Sequence, residues 1–180
     1  RHAILGMDTR TGTQNDRLRH NVGSREIFDY TGMPVHTINT LPKLMWLKEH
    51  EPEVWRNAKK FLLYEDFFIQ KMTGAAHISH CLASRTQLYD TWDKAWSKRL
   101  LAFLELDPGR LAQIHPSGTP VGRMLPDLAA ELGFSTPPFI VTGGHDQACG
   151  AVGVGLTQPG QAMVSTGSAE VIEVVSDTPF

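Results

Sequence analysis

Apolar residues fall along this chain in short bursts between polar, Gly- and Pro-marked breaks, and the spacing inside each burst predicts its element. Ala3-Ile4-Leu5-Gly6-Met7 reads as a short core strand that runs out at Asp8-Thr9-Arg10. Leu18, Val22, Ile27 and Phe28 predict a helix over 16–31, stopped by Gly32. Met33 to Thr40 is a loop. Pro42 opens a helix through Leu44, Leu47 and His50, with Trp46 in the core. Helical character resumes after Pro52 over 53–56, and Lys59 to Tyr64 reads as a strand. Asp66 to Met72 then forms a helix closed by Gly74, with Glu65 and Asp66 favoured at its positive end.

The second half alternates in the same way. Ala76–Ala83 and Thr86–Asp90 read as strands, the first irregular. Trp96, Leu100, Phe103 and Leu104 lie three and four apart, which predicts a helix over 96–106 ended by Asp107-Pro108-Gly109. Leu111 to Pro120 is a connector, and 124–132 a short helix capped by Gly133. Pro138 to Thr142 is a buried strand, and 148–155 a helix of small residues. Thr157-Gln158-Pro159-Gly160 is a linker, followed by a hairpin of 162–165 and 171–175 around a turn at Thr166-Gly167. The pattern is that of an α/β protein, and it contains no internal repeat.

Composition narrows the partners. The 180 residues are 41% hydrophobic, enough for a real core in one domain or slightly more. With 17 basic against 19 acidic residues and nothing more basic than Arg17-Leu18-Arg19-His20, neither nucleic acid nor an anionic membrane is the expected partner. No apolar run approaches the ~20 residues of a membrane span. Cys81 and Cys149 match no metal or redox spacing, so reduced thiols in a cytoplasmic protein are expected. The chain opens at Arg1 inside an apolar run and stops after a strand-like run, which reads as a segment of a longer protein.

Candidate chemistry concentrates between Gly143 and Gly167, where seven of the 16 glycines lie. Gly143-Gly144-His145-Asp146-Gln147 places one carboxylate just beyond the strand at 138–142, the end at which open α/β sheets hold ligands. Asp146 is suited to take a proton from a hydroxyl, to bind magnesium or to cap the next helix. Thr166-Gly167-Ser168 offers backbone N–H groups and two hydroxyls between two strands, which suits phosphate, although such a turn is also an ordinary hairpin. The acid and the phosphate-suited turn, flanking a hinge, describe phosphoryl transfer.

These motifs resemble the FGGY carbohydrate kinases. Gly143 to Gln147 is similar to that family's signature around its catalytic Asp, and Ser165 to Ala169 to its ATP-phosphate hairpin. Met7 to Arg10, Pro42 to Leu47, Lys71 to Gly74, Ala83 to Thr86, Trp96 with Leu100 and Leu101, and Pro116 to Gly118 before Gly122 match in order. The resemblance implies an actin-like ATPase (ribonuclease H-like) fold. It assigns 1–157 to the later part of the sugar-binding domain, and 158–180 to the hinge and opening hairpin of the ATP-binding domain.

By the same resemblance Asp146 is the general base and a substrate contact, and Gln147 hydrogen-bonds the sugar. Asp8 lies on the substrate side or holds its loop with Arg10. Thr166, Gly167 and Ser168 line the phosphates of ATP, with Mg2+ as cofactor and no metal ligand assigned. The acceptor implied is a ketopentose, ketohexose or polyol. The segment alone is expected to be inactive, and its open edge strands could pair two copies as a homodimer. Ser168 stands where Thr is commoner in the family, and His145 is a further departure.

Three rivals are weighed. Gly150 to Gly155 is Gly-rich, but its G-x-x-G-x-G order and preceding helix do not suit a dinucleotide fingerprint. His77, His80 and Cys81 have a possible metal spacing without a matching acid. A non-catalytic sugar-binding relative is the alternative function. Trp46, Trp55 and Trp96 are read as core, and Trp92 as a turn residue of open role.

Overall fold

The computed structural model describes residues 3–167 and 170–178. Its chain divides into two compact units, 1–142 and 143–180.

The first unit is built on helices. Helix α1 (Gly12–Asn21) and α2 (Ser24–Thr31) take the place of the single helix expected over 16–31. Gly23, at φ 98°, lies outside the helical region, and the N–H groups of Val22 and Gly23 both turn back to the Leu18 carbonyl. Gly32 stops α2 in the left-handed conformation, as read. Helices α3 (Thr40–His50) and α4 (Pro52–Asn57) follow, then α5 (Tyr64–Thr73), which ends at left-handed Gly74. The main core joins Leu18, Ile27, Leu41, Leu44, Met45, Trp55 and Leu88 to Leu100, Leu101 and Leu104. Those last three belong to α7 (Lys98–Leu104), which comes after β1 (His77–Ser79), α6 (His80–Ser84), β2 (Tyr89–Asp90) and β3 (Ala95–Trp96).

Strands occur in pairs. β1 runs parallel to β4 (Gln113–His115), with Ile78 opposite Ile114, and β2 is antiparallel to β3. β5 (Pro120–Arg123) is antiparallel to β6 (Phe139–Val141), with α8 (Pro126–Glu131) between them in sequence. A second cluster, with Ala76, Ile78, Ala83, Tyr89 and Ala112, packs around β1.

Several expectations are corrected. Ala3 to Met7 forms no strand, because no strand among the described residues pairs with it; Leu5 and Met7 are exposed. Lys59 to Leu63 forms no strand ladder: the Phe61 N–H donates to the Arg110 carbonyl at 2.8 Å, and the Leu63 carbonyl accepts the Phe67 N–H at the start of α5 (3.1 Å). Side chains dock it instead: Lys60 Nζ donates to the carbonyls of Gly109 (2.8 Å) and Leu111 (2.7 Å). Trp46 is only half-buried, stacked on His50 at 4.8 Å with the Arg10 guanidinium 4.6 Å from its ring centroid. Trp96 precedes its helix, on β3, and donates from Nε1 to the Ala112 carbonyl at 2.9 Å. The connector after Leu111 contains β4 and the start of β5. Trp92 is a turn residue as read, exposed, with Nε1 donating to the Asp29 carbonyl.

The second unit contains α9 (Asp146–Gly153) and a hairpin of β7 (Ala162–Ser165) and β8 (Val171–Val174). α9 packs against β8, with Ala151 buried. Gly150 and Gly153 sit inside this helix, which removes the dinucleotide-binding alternative, since that fingerprint needs a strand leading into the glycines.

Candidate active site

Two ordered features flank Asp146 in sequence. Upstream, Thr142 is buried at the end of β6, its hydroxyl donating to the Pro116 carbonyl (2.7 Å) and accepting the Thr119 N–H (3.0 Å). Downstream, helix α9 begins at Asp146 itself. The cap is His145, extended at φ −66° and ψ 139°, whose Nδ1 accepts the Gln147 N–H at 3.3 Å. The capping role weighed for Asp146 therefore belongs to its neighbour. Asp146 occupies the first helical position, where unpaired N–H groups and the helix dipole favour a negative charge.

The carboxylate is open to solvent. Its side chain is 84% exposed, with Oδ1 accepting the Gln147 N–H at 2.9 Å and lying 3.0 Å from His145 Nδ1. Gln147 is half-buried beside it. In the same unit, Thr166 and Gly167 lead out of β7 and are exposed, and neither backbone N–H has a partner among the described residues. Such N–H groups are available to an anion. Ser168 lies outside the described residues. The structure thus gathers Asp146, Gln147, Thr166 and Gly167 in one unit, on a helix and a hairpin that pack together.

Asp8 belongs to the first unit and is heavily engaged. Its carboxylate accepts the Arg10 backbone N–H (3.0 Å), Nε (2.9 Å) and Nη2 (2.6 Å). Those bonds from Arg10, first the side chain and then the backbone, hold its carboxyl down at about 2. Nearby, buried Lys43 donates from Nζ to the carbonyls of Gly6 and Ile38, both at 3.0 Å, and burial lowers its pKa. Carboxylate, guanidinium and ammonium together fix the loop over 6–10.

The metal alternative at His77, His80 and Cys81 is not formed. His77 Nδ1 lies 2.9 Å from His115 Nε2, and His80 Nδ1 lies 2.7 Å from the Tyr89 hydroxyl. Burial lowers the pKa of both His77 and His80. No group of three or more His, Cys, Asp or Glu side chains that could hold a metal occurs among the described residues. His115 left no sequence signal, because its partner strand is remote. The role of His145 had one: a hydrogen-bonding side chain directly before a helix start.

Comparison with known proteins defines the class. The FGGY family of carbohydrate kinases, N-terminal domain, matches residues 1–153, and this chain belongs to that family. The xylulose kinase of Bacillus subtilis (strain 168) is 36% identical over 172 residues, covering 96% of this chain and 34% of that protein. The xylulose kinase of Staphylococcus xylosus is 34% identical over 171 residues, covering 95% and 35%. The crystal structure of xylulose kinase from Rhodospirillum rubrum superposes with a TM-score of 0.88 at 26% identity, covering 95% of this chain and 35% of that one. The fold is accordingly the actin-like ATPase fold of these kinases, mixed α/β, as expected. The chain spans about a third of the length of the curated relatives it matches.

Proposed function

We propose that this chain serves, within a protein of the relatives' length, in ATP-dependent phosphorylation of a sugar hydroxyl, with Asp146 as general base. The observation that carries the reading is an open carboxylate at the first turn of α9, in one unit with the Thr166 and Gly167 N–H groups, which have no partner among the described residues. The acceptor is a ketopentose of the xylulose type, supported by the relatives' names. The hydroxyl proton passes to Asp146 as that oxygen attacks the γ-phosphorus. The bond from phosphorus to the bridging oxygen breaks, and ADP leaves. Gln147 holds a second sugar hydroxyl, and Thr166, Gly167 and Ser168 bind phosphate oxygens. Asp8 acts from its Arg10-bound loop on the substrate side. Magnesium, when bound, would neutralise charge on the phosphates of ATP, and no metal ligand is proposed in this chain. We place the domain boundary at 157/158, with a hinge over 157–160, and the enzyme in the cytoplasm.

Sugar-dependent ADP formation by the complete kinase, across ketoses, aldoses and polyols, tests this reading. Asp146→Asn is expected to lower kcat by about 10²–10⁴-fold while sugar affinity holds. Turnover at the parent rate would remove the base assignment. Sugar binding without ADP formation in the parent would instead favour a non-catalytic binding protein.

A further inference from the structure

Three contacts converge beside the base. His145 Nδ1 stands 3.0 Å from Asp146 Oδ1, the Gln147 N–H reaches that oxygen at 2.9 Å, and the same N–H reaches His145 Nδ1 at 3.3 Å. The first two hold Oδ1 and the third ties their partners together, while Oδ2 has no partner among the described residues. A side chain 84% exposed has little packing to fix its torsions, so polar contacts decide which oxygen faces outward. One nitrogen cannot both accept from Gln147 and donate to Asp146. When Nδ1 carries the proton, it donates to Oδ1, and the Gln147 N–H goes wholly to that oxygen. When Nδ1 is bare, the N–H is shared between them.

We propose that His145 is a positioning residue for phosphoryl transfer: it keeps Asp146 Oδ1 turned into the start of α9, so that Oδ2 is the oxygen presented to the sugar hydroxyl. This rests on the reading of Asp146 as base. General-base catalysis needs the accepting oxygen within hydrogen-bond reach of the proton, and small misplacements cost rate. The role is separable from capping. Asp caps a helix as well as Asn does, but at position 145 it sets a second carboxylate against Oδ1, where Asn offers an N–H.

The test compares His145→Asp, His145→Ser and His145→Asn with Asp146→Asn in the complete kinase, reading kcat, both KM values and the melting temperature. Ser caps the helix but is too short to hold the carboxylate, so it serves if the Asp variant misfolds. Asp and Ser are expected to lower kcat on the order of 10- to 100-fold with sugar KM unchanged and melting preserved. Asn is expected to rescue most of that loss. Parent-like kcat in the Asp or Ser variant, with Asp146→Asn inactive, overturns the positioning role alone, as does a rise in sugar KM at unchanged kcat. Parent-like turnover by Asp146→Asn removes the base reading and this inference with it.

Discussion

Asp66 shows how a single residue can set the pH response of the fold. It is 2% exposed on the first turn of α5, and its Oδ1 has no partner among the described residues. Burial pushes its carboxyl up to about 7, against hydrogen bonds from the backbone of the helix start that pull the other way. The folded-state value is thus raised above the unfolded one of about 3.9. Such an acid leaves stability intact below the unfolded value and removes it as pH climbs towards about 7, on the order of a few kcal/mol in all. Asp66→Asn keeps the shape without the charge. Its urea midpoint is expected to exceed the parent's at pH 8 and to approach it at pH 4; a constant gap between the two proteins would refute the assignment. Asp8 has the opposite shift, held down by its hydrogen bonds from Arg10, so it titrates below this window.

At the scale of elements, α7 shows what local sequence can and cannot tell. Ser97 is buried, and its hydroxyl accepts the Leu100 N–H at 3.4 Å, while Leu100, Leu101 and Leu104 face the core. At the other end Lys48 donates to the Leu104 carbonyl at 2.9 Å, and Glu105 turns left-handed at φ 54°. Ser97→Ala should cost about 1 kcal/mol, seen as a lower urea midpoint with an unchanged slope. The apolar spacing disclosed the buried face of α7, and Gly32 and Gly74 disclosed two helix stops, because those signals are local. Periodicity ignores caps and so draws Trp96 into the helix, whereas Ser97 is the better marker. At the site, Asp146 was visible as a lone acid before a helix of small residues. The hold of His145 on it was not, being a matter of side-chain geometry, and neither was the His77–His115 bond, whose strands are remote in sequence. Ala3 to Met7 looked like a strand because apolar content is read locally, whereas a strand exists only through its partner.

For the whole chain, apolar burial is uneven. The first unit holds both hydrophobic clusters, whereas in the second Ala151 is buried and Val164, Ile172 and Val174 of the hairpin stay exposed. Hydrogen exchange is therefore expected to be fastest in β7 and β8 and slowest in α3 and α7. With the domain boundary at 157/158, α9 should exchange more slowly than the hairpin; equal rates for the two would move that boundary upstream. The pairing of β1 with β4 carries a consequence for synthesis. Ile78 is fully buried opposite Ile114, in a parallel pair that no tight turn can close. On the ribosome, β1 emerges first and waits with a bare edge until Gln113 to His115 have left the tunnel. A chain stalled in that interval offers an unpaired apolar strand to chaperones or to its neighbours on the same message.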